Sequence, residues 1–135
     1  MADYSAIRSG LRTRLATSST FLQVAATVPD SISPPAAVVM PGTPVVDYSA
    51  SFNDALQRFI FKVVVFAQRF DEEANQTLLD GLLSGSGSVR SLIAGDATLG
   101  GAAKTCQVVT ADMYGLVEAN ETEFLGLELT VEVFA

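Results

Sequence analysis

The sequence predicts an α+β fold: a two-layer sandwich with a mostly antiparallel sheet, two main helices and one long β-hairpin. Three observations lead there. First, the chain closes on "EFLGLELTVEVFA", where Leu125, Leu127, Leu129, Val131 and Val133 alternate with Phe124, Gly126, Glu128, Thr130, Glu132 and Phe134. A period of two marks a strand with one aliphatic face. Second, "RFIFKVVVFA" alternates in the same way within a long β-branched and aromatic run. Third, helical periodicity is confined to the N-terminus and the middle, so helices and strands are segregated along the chain.

Taken in order, Tyr4 to Ala16 reads as the first helix. Ile7, Leu11 and Leu15 recur every four residues and form one stripe, and Asp3 is its N-cap. Arg8, Arg12 and Arg14 lie off that stripe. They are either a solvated basic face or a docking surface for an acidic neighbour, a second copy of this chain included. Phe21 to Val28 is a short strand. All five prolines then fall between Pro29 and Pro44. Proline cannot donate to a ladder, so this stretch is extended, turning or at a sheet edge. "AAVVM" between Pro35 and Pro41 is a short buried strand.

Val45 to Ser49 and Leu56 to Phe70 are the arms of the long hairpin, turning through Ser51, Phe52, Asn53 and Asp54. On the second arm, Phe59, Phe61, Val63, Val65 and Ala67 form the core face. Arg58, Ile60, Lys62, Val64 and Phe66 form the other, polar towards the tip, which predicts a tip projecting beyond the core. Asp71 caps a second helix, with Glu72 and Glu73 in its favourable first turn. Leu78, Leu79, Leu82 and Leu83 are its stripe, and Gly85 or Gly87 ends it. "SVRSLIAG" adds one or two helical turns, and "DATLGGAAK" is a loop. Lys104 to Met113 is a strand, Tyr114 to Thr122 a turn region, and Glu123 to Phe134 the closing strand.

The 135 residues fit one domain, 1–135, able to bury its own core. With 49% hydrophobic and 17% charged residues, the chain is not disordered by composition. A net charge of −7 opposes contact with nucleic acid backbones. Cys106 is the only cysteine, so no intrachain disulfide and no thiolate zinc site can form within one chain. It reads as a small buried hydrophobe. No signal-like or membrane-length apolar run is present, which leads us to expect a soluble protein made in a reducing cytoplasm.

The chain has no histidine, the commonest acid–base group and metal ligand near neutral pH. "SGSGS" (Ser84–Ser88) lacks the lysine of a phosphate loop; Val89 and Arg90 follow it. Lys104, near Gly100 and Gly101, has no strand-to-helix context. The carboxylates Asp71, Glu72, Glu73 and Asp80 have no calcium-loop spacing. No serine has a catalytic partner in a recognisable pattern. The expectation is a protein that is not an enzyme and takes no cofactor or metal. Arg58, Lys62 and Arg69 are the nearest approach to a nucleic-acid patch and form no known motif. Protein contact remains, with the Glu128 and Glu132 face serving as a subunit contact or as an ordinary half-solvated sheet.

Several segments together resemble one family. They are the helix "YSAIRSGLRTRLA", the proline-punctuated "VPDSISPPAAVVMPGTPVVDY", the arm "FIFKVVVF", "NQTLLDGLLSGSGSVRSLIAGDATLGG", and the ending "YGLVEANETEFLGLELTVEVFA". In this order they resemble tail-terminator proteins of long-tailed, siphovirus-type bacteriophages, particularly those of actinobacteria, over nearly the whole chain. The resemblance implies a homo-oligomeric ring, a hexamer, on the end of the tail tube. Such a ring stops tube polymerisation and presents a surface to the neck or head-completion protein, in the virion at the neck-proximal end of the tail after assembly in the host cytoplasm. Its partners are itself, the tail tube protein and the neck protein, with DNA passing through the lumen without specific binding, and no membrane. In relatives, sheets join around the ring. On this reading Glu128 and Glu132 line the channel or abut the next subunit, and the tip from Ser49 to Leu56 reaches a neighbour or the tube. Arg8, Arg12, Arg58 and Lys62 are further candidate contacts. Two other readings stay open: another head–tail connector, separated by its position in the particle, and a cytoplasmic small-ligand-binding domain, marked by a monomer or dimer and a ligand-dependent thermal shift.

Overall fold

A computed structural model describes residues 3–27, 29–48, 56–67, 73–119 and 122–135. Its elements are α1 (Tyr4–Ala16), β1 (Gln23–Ala25), β2 (Ala36–Asp47), β3 (Arg58–Ala67), α2 (Glu73–Leu83), α3 (Val89–Ala94), β4 (Thr105–Ala119) and β5 (Thr122–Phe134). The five strands form one sheet in the order β1-β2-β3-β5-β4. Every pairing is antiparallel except β1 with β2. The helices pack on one face, which gives the α+β sandwich.

The periodicities decide that packing. Ile7, Leu11 and Leu15 of α1 are fully buried, and Asp3 caps the helix by accepting from the Ser5 and Ala6 amides at 3.0 and 3.3 Å. Phe59, Phe61, Val63, Val65 and Ala67 of β3 share that core with Leu125, Leu127, Leu129, Val131 and Val133 of β5. Each such side chain contributes roughly 1.5–3 kcal/mol by leaving water. Ser88 caps α3 by accepting from the Ser91 amide at 3.1 Å, and Gly95 ends that helix. Gly85, two residues past α2, has a φ of 88°, a conformation glycine adopts without cost.

Four expectations need correction. The strand expected over Phe21 to Val28 is only Gln23–Ala25. "AAVVM" and Val45 to Asp47 of the hairpin arm are one strand, β2, which crosses Pro41 and Pro44, and Ser49 lies outside the described residues. Its register with β3 shifts between Pro41 and Val46, so Pro44 stands where the ladder asks no amide of it. The "DATLGGAAK" loop contains a 3-10 turn, Leu99–Gly101. Finally, Tyr114 to Ala119 are strand, not turn. Two bulges, at Val109 and around Met113, absorb the extra residues that break the alternation of β4. The expected β3 arm from Leu56 to Phe70 is strand over Arg58–Ala67, and residues 68–70 lie outside the described residues, as do the expected cap Asp71 and the first-turn Glu72.

The 3-10 turn explains a glycine inside α1. A Cβ on Gly10 would stand 2.9 Å from the Leu99 Cβ and 3.0 Å from the Leu99 carbonyl oxygen. Leu99 is buried there at a φ of 52°. Glycine in a helix interior costs about 1 kcal/mol against alanine, so Gly10→Ala alone ought to stabilise α1. The close approach reverses the sign: we expect a loss of about 1–3 kcal/mol in urea unfolding. A gain in stability would show that Leu99 does not pack as described.

Candidate assembly surface

The face of the sheet away from the helices divides into two halves. At the β3 C-terminal end, Ala36, Val38, Val64, Phe66 and Phe124 form a second small core, with Phe66 and Phe124 edge-on at 5.4 Å. The proline-rich connection brings Ile32 onto it. The Gln23 side chain pins that connection, donating to the Ser31 carbonyl at 3.2 Å and accepting from the Ser33 amide at 2.7 Å. Pro29, Pro34 and Pro35 therefore belong to a stiff cover over the apolar half, whereas Pro41 and Pro44 lie within β2.

The other half carries charge. Cross-strand register sets Asp47 beside Arg58, Ile60 beside Glu132, Lys62 beside Thr130, and Val64 beside Glu128 and then Asp112. Arg58 reaches Asp47 and Glu132 at 3.5 Å each, and Lys62 reaches Glu128 at 2.8 Å. The sheet thus brings together four predicted site residues: Arg58, Lys62, Glu128 and Glu132. It also corrects their reading. Each carboxylate has a cation beside it, so the pair is not a bare acidic lining. Four acids (Asp47, Asp112, Glu128, Glu132) against two cations leave a mixed ladder with a charge of −2. Exposed pairs of this kind contribute little to stability and more to the choice of partner.

Of the other predicted residues, Arg8 lies over the Tyr4 ring at 5.4 Å and Arg12 is exposed. Tyr4 stacks on Phe61 with ring centroids 5.0 Å apart, so Arg8 is anchored to the core through it. Arg14 is withdrawn from the basic face: its Nε donates to the Leu92 carbonyl at 2.6 Å. Ser51, Phe52, Asn53 and Asp54 lie outside the described residues, as do Arg69 and most of the stretch expected to form the tip.

Sequence reasoning missed the two sheet margins. Among the described residues β4 is the last strand of the sheet, and no strand pairs with its outer edge. At the opposite margin β1 pairs with Ala36 to Val38, and no other strand among the described residues pairs with β2 on that side. Both open stretches expose apolar side chains. On β4 these are Val109, Tyr114 and Met113, the last 68% exposed; at the β2 end they are Val45 and Tyr48, the latter 65% exposed. Reading the alternation on past Tyr114 would have shown a fifteen-residue strand. Tyr114 also ties β4 to α2, its hydroxyl donating to Asp80 Oδ1 at 3.0 Å. Between α2, α3 and β4 runs an open groove of about 400 Å³ floored by Leu82, Val108, Ala111 and Leu129, with Arg90 at its rim.

Chemistry is sparse. Among the described residues no group of histidine, cysteine, aspartate and glutamate could hold a metal ion, and no helix is long and apolar enough to cross a membrane. Cys106 is buried, and burial, with a smaller push from Asp96, raises its thiol from 9.0 to about 11. Lys62 is held above its ordinary 10.5 by its hydrogen bond to Glu128 and the charge of that carboxylate, with Asp112 adding to it against the opposing effect of desolvation. A raised folded-state pKa gives stability that is whole below the unfolded value and is lost as pH rises through the folded one. Both groups act in the same direction: urea stability should be level up to about pH 9, fall between about 9 and 11 as Cys106 titrates, and lose the Lys62 part only above about 10.5. The Cys106 share is at most about 2–3 kcal/mol. Thiol labelling at pH 8 should be slow in the folded protein and fast in urea; prompt labelling of the native chain contradicts the burial.

No protein-family model matches the chain, and no curated protein matches it.

Proposed function

We propose that this chain is a structural virion protein that assembles with itself into a ring, a hexamer, capping the tail tube of a long-tailed bacteriophage. The ring ends tube polymerisation and joins the tail to the neck. The resemblance of the sequence segments to tail terminators is the source of the tail role. The observation that carries the assembly reading is the sheet with two open and unlike margins. Unlike surfaces meet head to tail, and a head-to-tail contact closes into a ring when its rotation permits. On β4 and β2, edges that no other described strand covers carry exposed Met113, Val109, Tyr48 and Val45, a combination that a subunit contact covers. The charged half of the sheet faces the lumen or a neighbour. Its paired charges offer DNA few free cations, in keeping with passage without specific binding.

Labelling of the chain in purified virions tests the role. The proposal expects label at the head-proximal end of the tail. Label on the head side of the neck would favour another head–tail connector, and no label in virions would end the virion reading.

A further inference from the structure

Two like-charge pairs of opposite sign stand on opposite margins of this fold. On α1, Arg8 and Arg12 are one helical turn apart, a spacing at which like charges repel across roughly 5–6 Å. On the β4–β5 hairpin, Glu118 and Glu123 are direct cross-strand partners, and both are exposed. Like charges directly opposite each other weaken a strand pair. None of the four has an ion-pair partner among the described residues, although Arg58 and Lys62 are matched to carboxylates. The Arg8 guanidinium lies over the Tyr4 ring at 5.4 Å, a contact that holds it in place without supplying a carboxylate. Helix α1 packs over β1 and β2, the first strands in the sheet order, and reaches β3 through Tyr4, whereas Glu118 and Glu123 belong to the last two strands.

A chain that tolerates two local repulsions, one basic and one acidic, on opposite sides relieves both by meeting another copy of itself. We propose that the Arg8–Arg12 face of α1 docks on the Glu118–Glu123 pair of a second copy, a head-to-tail electrostatic contact. It rests on the reading that this chain self-assembles, and not on the role of the assembly in a tail. Charge complementarity selects the occupant: the protein carries −7 overall, and this basic helix face is matched in sign and spacing by its own hairpin. The contact sets the direction in which copies add, and it weakens with salt as exposed charges are screened.

A charge-swap series measured by sedimentation tests it. Wild-type association should fall about tenfold or more between about 50 and 500 mM salt. Arg8→Glu with Arg12→Glu, and separately Glu118→Lys with Glu123→Lys, should each weaken association by about tenfold or more at low salt. The four substitutions combined in one chain should restore it, as should an equal mixture of the two double variants. Circular dichroism identifies any variant that is unfolded, and the restored quadruple variant remains decisive in that case. Association unaffected by either double swap, or unrestored in a folded quadruple variant, overturns the contact, as does a wild-type chain that stays monomeric at every salt. A ring insensitive to the swaps removes the contact and leaves the ring. A swap-sensitive dimer or open filament keeps the contact and removes the ring.

Discussion

Phe61→Ala should cost about 3–5 kcal/mol of unfolding free energy, a large part of the stability of a domain this size. Phe61 is fully buried on β3, the middle strand of the sheet, between β2 and β5. Its ring stacks on Tyr4, so it joins the sheet to α1 directly. Removing it leaves a cavity that strands paired on both sides cannot close. A melting temperature lower by roughly 10–20 °C is the expected readout. Phe61→Leu keeps most of the volume and should cost only about 1–2 kcal/mol. Equal losses for the two variants would show that the cavity is not what matters at this position.

Val109→Lys with Met113→Lys should abolish or sharply weaken self-assembly while leaving the monomer folded. Both side chains are exposed on β4, so the lysines meet solvent and not core. Lysine on an edge strand opposes strand addition by charge and by the cost of desolvating it. We expect association to drop about 30-fold or more, equivalent to roughly 2 kcal/mol at the contact. Val109 also lines the groove beside Leu82 and Leu129, so a thermal shift with unchanged association would place the effect in the fold and remove β4 from the interface. The double replacement Glu128→Lys with Glu132→Lys gives an independent reading of the charged face. It sets lysines beside Lys62 and Arg58, and ring mass or infectivity should suffer; unchanged values in both would take that face out of assembly.

The parts of the fold that were legible in the sequence are those where one period ran without interruption. Ile7, Leu11 and Leu15, the two faces of β3 and the aliphatic face of β5 all landed as the pattern requires. Alternation failed where bulges interrupt it. Val109 and Met113 each insert a residue into β4, so Tyr114 to Ala119 read as a turn although Gly115 to Ala119 pair with β5 from Gly126 to Thr122. Proline misled in β2 for the complementary reason: Pro44 sits inside a register shift, where a missing amide costs nothing. The candidate surface was legible as a set of residues and not as electrostatics. Sequence alone put Glu128 and Glu132 on one face. Only register could show that Lys62 and Arg58 reach them diagonally from the next strand. The unpaired margins depend on strand order, which no local pattern contains.

The most direct test of self-assembly is the native mass of the purified chain across concentration and magnesium, with negative-stain images of the same samples. The account predicts closed rings of about six copies with a central hole, formed more fully as concentration rises. A chain that stays monomeric or stops at a dimer, both in isolation and when offered tail tube ends, would contradict it.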